Sequence, residues 1–311
     1  MRLRDVFLGL VCAIAAVPPA FMPHRSAGAN SLPSAQGART DMRTILARVG
    51  RWGCQYQNID VASIAASPLD LIVVDPIIDP ASGRTPSSEE MRQLKRKGSN
   101  ERRLVLAYLS VGAAEEYRPY WSADWKGGAS PPWLGVESRD WPRSYSVRYW
   151  HPEWQRIVID ASVRLADAGF DGLFLDRVDA FHDWRMSRPS ALDDMADFIT
   201  QIADAARSRK PGFLLVGQNA EQLLASQRYL DAIDAVSKES LLTGLAGHAI
   251  PNSTEDIAWS LGYLQLAQKA GLTILAIEYQ SDTSLIAAAT TEFLRLGFIP
   301  FFGNQLLDRL P

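Results

Sequence analysis

Short apolar, largely β-branched runs recur along this chain, each ending on polar residues and giving way to a helical pattern. They are WGCQYQ (52–57), LDLIVVD (69–75), RLVLAYLS (103–110), FDGLFLD (170–176), FLLVGQN (213–219), IDAVSKE (233–239), TILAIEY (273–279) and FIPFF (298–302). A parallel strand buried on both faces reads as a nearly continuous apolar run of this kind. Between the runs, 153–168 places Trp154, Ile157, Val158, Ala161 and Leu165 at helical spacing, and 190–207 and 254–270 repeat the pattern. Gly169 and Gly271 stand where a helix C-terminus favours glycine.

Eight such β-then-α units predict an α/β chain folded as a (β/α)8 barrel, an architecture that needs about 250 residues. An open doubly wound sheet would want a glycine-rich phosphate turn after its first strand, and WGCQYQNID has none.

The 311 residues exceed that requirement because of the N-terminus. Arg2 and Arg4 precede an apolar stretch from Val6 to Val17, and Ala27-Gly28-Ala29 supplies small residues for cleavage. Residues 1–29 therefore read as a signal peptide cut after Ala29, too short for a membrane span of about 20 residues. Residues 30–41 read as a flexible leader and 42–311 as the barrel domain. The protein is expected to be secreted or periplasmic, without a stable membrane span after cleavage. Cleavage removes three arginines and one aspartate and takes the formal charge from −3 to −5. A mildly acidic chain argues against a nucleic-acid partner. Cys12 leaves with the signal and Cys54 has no partner, so no disulfide framework is expected. Four histidines, with no zinc-type spacing, point to no metal and no cofactor.

In (β/α)8 barrels the active site lies at the C-terminal ends of the strands. The residues ending the runs here include Asp75, Tyr108, Asp176 with Arg177 and Asp179, Asn219, Glu239, Glu278 and Tyr279. Carboxylates, amides and phenols without a serine–histidine pair suit sugar recognition and acid/base work. Glycosidic cleavage needs two carboxyl groups. Asp176 and Glu239 are the pair expected to carry it, because strand alternation aims both at the barrel mouth. Either carboxylate could instead pair with Arg177 or Lys238. Asp179 and Glu278 are candidates for substrate contact. About 40 residues separate the third run from the next helix, an unusual length that marks functional loops. Six of the nine tryptophans fall between Trp121 and Trp154, and two or three of these rings are expected to reach substrate.

The strings VLAYLSVGAAEEYRPYW, YSVRYWHPEWQ, GFDGLFLDRVDAF, IDAVSKESLL and GFIPFF, in this order from about residue 52 to 306, resemble the endo-alpha-1,4-polygalactosaminidases, glycoside hydrolase family 114. The resemblance implies a metal-free barrel acting on galactosamine-rich exopolysaccharide. Asp176 would be the nucleophile and Glu239 the acid/base. Asp75, Tyr108, Arg177 and Asp179 would shape the sugar subsite, and Asp75, Glu115 and Asp179 would meet ammonium groups. The family's bacterial pattern GEAE is here Gly112-Ala113-Ala114-Glu115, one carboxylate fewer. The expectation is an endo-acting, retaining hydrolase that works as a monomer on a cationic polysaccharide. The competing readings are a hydrolase of another amino-sugar polymer and a silent barrel that binds or escorts polysaccharide. A nucleotide or tRNA enzyme lacks both a phosphate loop and a basic face.

Overall fold

The computed structural model describes residues 34–98, 101–127 and 129–310. The expected signal peptide lies outside the described residues.

All eight apolar runs are strands: β1 (Trp52–Gln55), β2 (Leu71–Val74), β3 (Leu104–Ser110), β4 (Gly172–Asp176), β5 (Leu214–Gln218), β6 (Ala235–Glu239), β7 (Thr273–Glu278) and β8 (Ile299–Phe302). They form one parallel sheet in sequence order, with in-register ladders from β1 through β8. The first and last strands meet without a backbone ladder. There the Trp52 indole N–H donates to the Ile299 carbonyl at 2.8 Å. The result is a nearly closed (β/α)8 barrel.

Alternation divides each strand between two cores. Trp52, Cys54, Leu71, Val73, Leu104, Leu106, Phe174, Leu214, Val216, Leu275, Ile277 and Phe301 fill the interior, with Tyr56, Tyr108 and Tyr279 above them. Trp52 plugs the lower end against the rings of Phe174 and Phe301, at 6.3 and 5.6 Å. The intervening residues, such as Ile72, Val105, Leu173, Leu215 and Val236, face the helices. Glycine is required at the start of β4, where a Cβ on Gly172 would lie 2.3 Å from the carbonyl oxygen of Leu214 on the neighbouring strand.

An aspartate stands just before each of β2, β4 and β6 and reaches back to the start of the preceding strand. Asp70 accepts from the N–H groups of Gly50 and Arg51, Asp171 from Val105, and Asp234 from Leu215, at 2.8–3.1 Å. Each carboxylate carries its own cations: Lys97 on Asp70, Lys95 and Arg102 on Asp171, and Arg39, Arg43 and Arg207 on Asp234. Arginine and lysine crowd the N-terminal end of the barrel for this structural reason.

Two of those arginines correct the expected leader. Residues 35–41 belong to a helix, Ala35–Leu46, capped by Ser34 and held to the barrel floor through Arg39 and Arg43. The small, polar composition that reads as a linker conceals a helix whose anchor is an ion pair 195 residues away in sequence.

The long β3 connection is also ordered. Ala113–Glu115, Leu134–Glu137 and Ser144–Val147 form an antiparallel three-stranded sheet beside the mouth. Its tryptophans mostly fasten it down. Trp133 and Trp154 are buried, and Trp121, Trp125, Trp133 and Trp154 touch in a chain with centroids 4.9–5.1 Å apart. Only Trp141, 64% exposed at the hairpin turn, is open to solvent among the six.

Replacing Asp234 by alanine takes the carboxylate from three arginines and leaves the Leu215 N–H without its acceptor. Breaking such a pair costs about 3–5 kcal/mol when fully buried, and the arginines' partial exposure lowers the expectation to roughly 2–4 kcal/mol. Urea unfolding of Asp234→Ala checks the value, and a loss under 1 kcal/mol would show that the helix is held by packing alone.

Candidate active site

Asp176 ends β4, two residues beyond the interior Phe174, and Glu239 ends β6, four beyond the interior Ala235, so both side chains turn into the barrel mouth. They are near enough for the Glu239 charge to act on Asp176. Burial raises the Asp176 pKa to about 6; the Tyr108 hydrogen bond opposes the rise and the Glu239 charge adds to it. Tyr108 Oη donates to Asp176 Oδ2 at 2.6 Å. The Tyr108 ring rests on Tyr56, centroids 4.6 Å apart.

Glu239 is gripped at both oxygens. Asn219 Nδ2 donates to Oε1 at 2.8 Å and Tyr279 Oη donates to Oε2 at 2.7 Å. The Asn219 carbonyl oxygen in turn accepts the Glu239 backbone N–H at 3.1 Å.

The backbone bends sharply just past these strand ends. Arg177, Asn219, Ala220 and Ser240 all have φ between 52° and 58°, the left-handed region. Each costs on the order of 1 kcal/mol in a non-glycine residue. Gly112 makes room for the first bend, since a Cβ there would sit 2.2 Å from the Arg177 carbonyl oxygen.

A second cluster adjoins Asp176. Arg118 is buried and bridges two carboxylates, Asp75 at 2.9 Å and Glu115 at 2.6 Å. Tyr117 Oη donates to Glu115 at 2.5 Å, and the Arg118 guanidinium lies 4.8 Å from the Tyr117 ring centroid. Burial raises the Asp75 pKa even though Arg118 opposes it. Tyr117 is half exposed and offers a ring to the mouth. Ala113, where the GEAE pattern has its extra carboxylate, is buried and paired with Ser146.

The structure thus brings together Asp176, Glu239, Tyr108, Asn219 and Tyr279, with Asp75 and Glu115 joined through Arg118. Asp179 is partly exposed at the rim. Burial raises its pKa, Arg177 opposes the rise and Glu239 adds to it. Arg177 pairs with Asp183 at 2.6 Å and lies 3.7 Å from Asp179. Glu278 departs from expectation. It precedes the inward-facing Tyr279, so parity sends it outward, where it accepts from Leu242 N–H at 2.7 Å and Thr243 Oγ1 at 2.6 Å. It anchors the loop after β6 and does not open to the mouth. Asp75 and Glu115 likewise give Arg118 part of the charge expected to meet an ammonium group. Arg118 escapes the sequence reading because it follows the third strand, where alternation no longer fixes direction. Its signal is the spacing of Glu115 and Arg118, three residues apart.

The sequence matches the profile of glycoside-hydrolase family GH114 over residues 33–310. The chain belongs to that family. It is a glycoside hydrolase by membership. A Deinococcus radiodurans protein is 35% identical over 270 residues, covering 85% of this chain and 83% of that one. Methanocaldococcus jannaschii MJ1477 is 32% identical over 262 residues, covering 83% and 72%. The fold is similar to the glycoside hydrolase domain of PelA from Pseudomonas aeruginosa, with a TM-score of 0.66, 23% identity and coverage of 84% and 97%. It is similar as well to Aspergillus fumigatus Ega3 in complex with galactosamine, with a TM-score of 0.60, 19% identity and coverage of 84% and 94%. Among the described residues no His, Cys, Asp and Glu side chains gather as a metal site, and no helix is long and apolar enough to cross a membrane.

The raised pKa of Asp176 has a consequence for stability. Its unfolded value is near 3.8 and its folded value about 6, so the folded state holds the extra proton. Stability therefore falls as pH rises from about 4 to about 6, and above that the charged side chain costs roughly 2–3 kcal/mol. Asp176→Asn is expected to raise the thermal midpoint at pH 7–8, with the gain vanishing by about pH 4. Equal midpoints for both proteins at pH 8 would show that the carboxylate is not penalised.

Proposed function

We propose that this GH114 protein is an endo-acting hydrolase of an alpha-1,4-linked, galactosamine-rich exopolysaccharide, working with retention. One observation supports it above the rest: two carboxyl groups, at the ends of β4 and β6, share one barrel mouth, each held by neutral donors. The galactosamine bound by Ega3 supports the substrate class. In this reading Asp176 attacks the anomeric carbon while Glu239 protonates the leaving oxygen. Glu239 then takes a proton from the water that releases the glycosyl-enzyme. Tyr108 and Tyr279 hold the two carboxyls by neutral donors. Asp179 at the rim, with the residual negative charge of the Asp75–Arg118–Glu115 cluster, favours a cationic sugar. Tyr117 and Trp141 offer the exposed rings of this side of the mouth. The protein would act outside the cytoplasm, after removal of residues 1–29, as a monomer and without a cofactor.

The test is reducing-end release from partly deacetylated galactosaminan by the mature protein. Asp176→Asn and Glu239→Gln are each expected to lose a hundredfold or more in kcat. No release by folded protein would remove the substrate assignment. Release from a different amino-sugar polymer would replace it. Oligosaccharide binding without hydrolysis of any such polymer would make the barrel a binder.

The raised Asp176 pKa favours a second reading in which the roles are exchanged, because a general acid is tuned upward. The two readings give opposite pH profiles. A nucleophilic Asp176 must be ionised, so kcat/KM falls as pH drops below about 6; an acidic Asp176 must be protonated, so kcat/KM falls as pH rises above it. Azide supplies the second discriminator. It is expected to restore turnover of Asp176→Ala with an inverted glycosyl azide, and a retained azide from that variant would exchange the assignments.

A further inference from the structure

Behind Glu239, on the helix side of the barrel wall, the neighbouring residue Lys238 carries a buried ion pair. Lys238 Nζ lies 2.9 Å from Glu221 Oε1, both side chains at most 10% exposed. Ser260 Oγ, from the helix Thr254–Lys269, donates to the same oxygen at 2.9 Å. Glu221 opens the short 3-10 turn after β5, two residues beyond Asn219. The ends of β5 and β6 are thus tied twice. Inside, Asn219 exchanges two hydrogen bonds with Glu239; outside, Glu221 holds Lys238. At and beside the ties, Asn219, Ala220 and Ser240 all have left-handed backbone.

We propose that the Lys238–Glu221 pair is a positioning clasp for Glu239, holding the ends of β5 and β6 so that Asn219 meets its carboxyl. This rests on the reading that Glu239 is one of the two reacting carboxyls. A buried ion pair adds little stability over an apolar pair of similar size, because desolvation offsets the attraction. What it does supply is a defined geometry. Three left-handed residues in two adjoining loops would relax without a cross-link, and displacing a reacting group by about 1 Å can cost a hundredfold in rate. The pair is neutral as a unit, so its removal as a unit shifts Glu239 in space and leaves its charge environment nearly as before. Inside the mouth Glu239 faces Asn219 and Tyr279, with the charged groups Asp176 and Asp179 nearby. On the helix side the clasp faces Ser260.

The experiment compares Lys238→Met/Glu221→Leu, each single variant and Lys238→Arg with the wild type. The double variant is expected to fold, keep KM within about threefold and lose about tenfold or more in kcat, with an unchanged pH profile. Lys238→Met leaves Glu221 negative and should move the limb governed by Glu239 to higher pH; Glu221→Leu leaves Lys238 positive and should move it lower. Lys238→Arg is expected to retain most of the wild-type kcat. A crystal structure of the double variant should show the Glu239 carboxyl away from Asn219. Wild-type kcat in the double variant, or Glu239 seated there as in the wild type, would overturn the clasp. Wild-type protein with no hydrolase activity would remove the catalytic reading instead, and the position of Glu239 would still decide whether the clasp holds it.

Discussion

Two carboxyl groups at one barrel mouth repel each other and resist burial, and much of the surrounding structure makes their closeness tolerable. Asp176 and Glu239 receive neutral donors, Tyr108 and Tyr279 with Asn219, which steady each carboxyl without cancelling its charge. The cations near the mouth are spent elsewhere: Arg118 on Asp75 and Glu115, Arg177 on Asp183 and Asp179, Lys238 on Glu221. A carboxyl locked to arginine would be held ionised and lose its proton chemistry. The arrangement leaves Asp176 and Glu239 without a cation partner while the carboxylates around them are paired.

This placement stores energy in the fold. Left-handed residues follow β4, β5 and β6, and a charged Asp176 is disfavoured at neutral pH. The opposite end of the barrel is built for stability. There Asp70, Asp171 and Asp234 stitch β2, β4 and β6 to the start of the strand before each, and each has at least one cation on it. Strain thus gathers at the C-terminal face and satisfied ion pairs at the N-terminal face.

The insertion after β3 links these levels. Its aromatic residues are mostly structural: Trp125, Trp133 and Trp154 pack as a chain that fixes the small antiparallel sheet to the barrel. Fixing that sheet places Glu115, at the end of its first strand, and through it Arg118 and Tyr117 beside Asp176. A richly aromatic loop thus builds the site chiefly by positioning three residues that are not tryptophans.

The sequence by itself determined the eight strands, their parallel order and the inward aim of Asp176 and Glu239. Those features are local: a period of two within a strand and an apolar run long enough to be buried on both faces. The same parity argument, applied strictly, would also have turned Glu278 away, since Ile277 and Tyr279 on either side of it belong to the interior. Tertiary structure alone decided the rest. The helix Ala35–Leu46 depends on Asp234, the Arg118 bridge on a loop folding back over β2, and the burial of Trp133 and Trp154 on one another. Each is a contact between residues distant along the chain, and no local period encodes which distant partner a loop residue will meet.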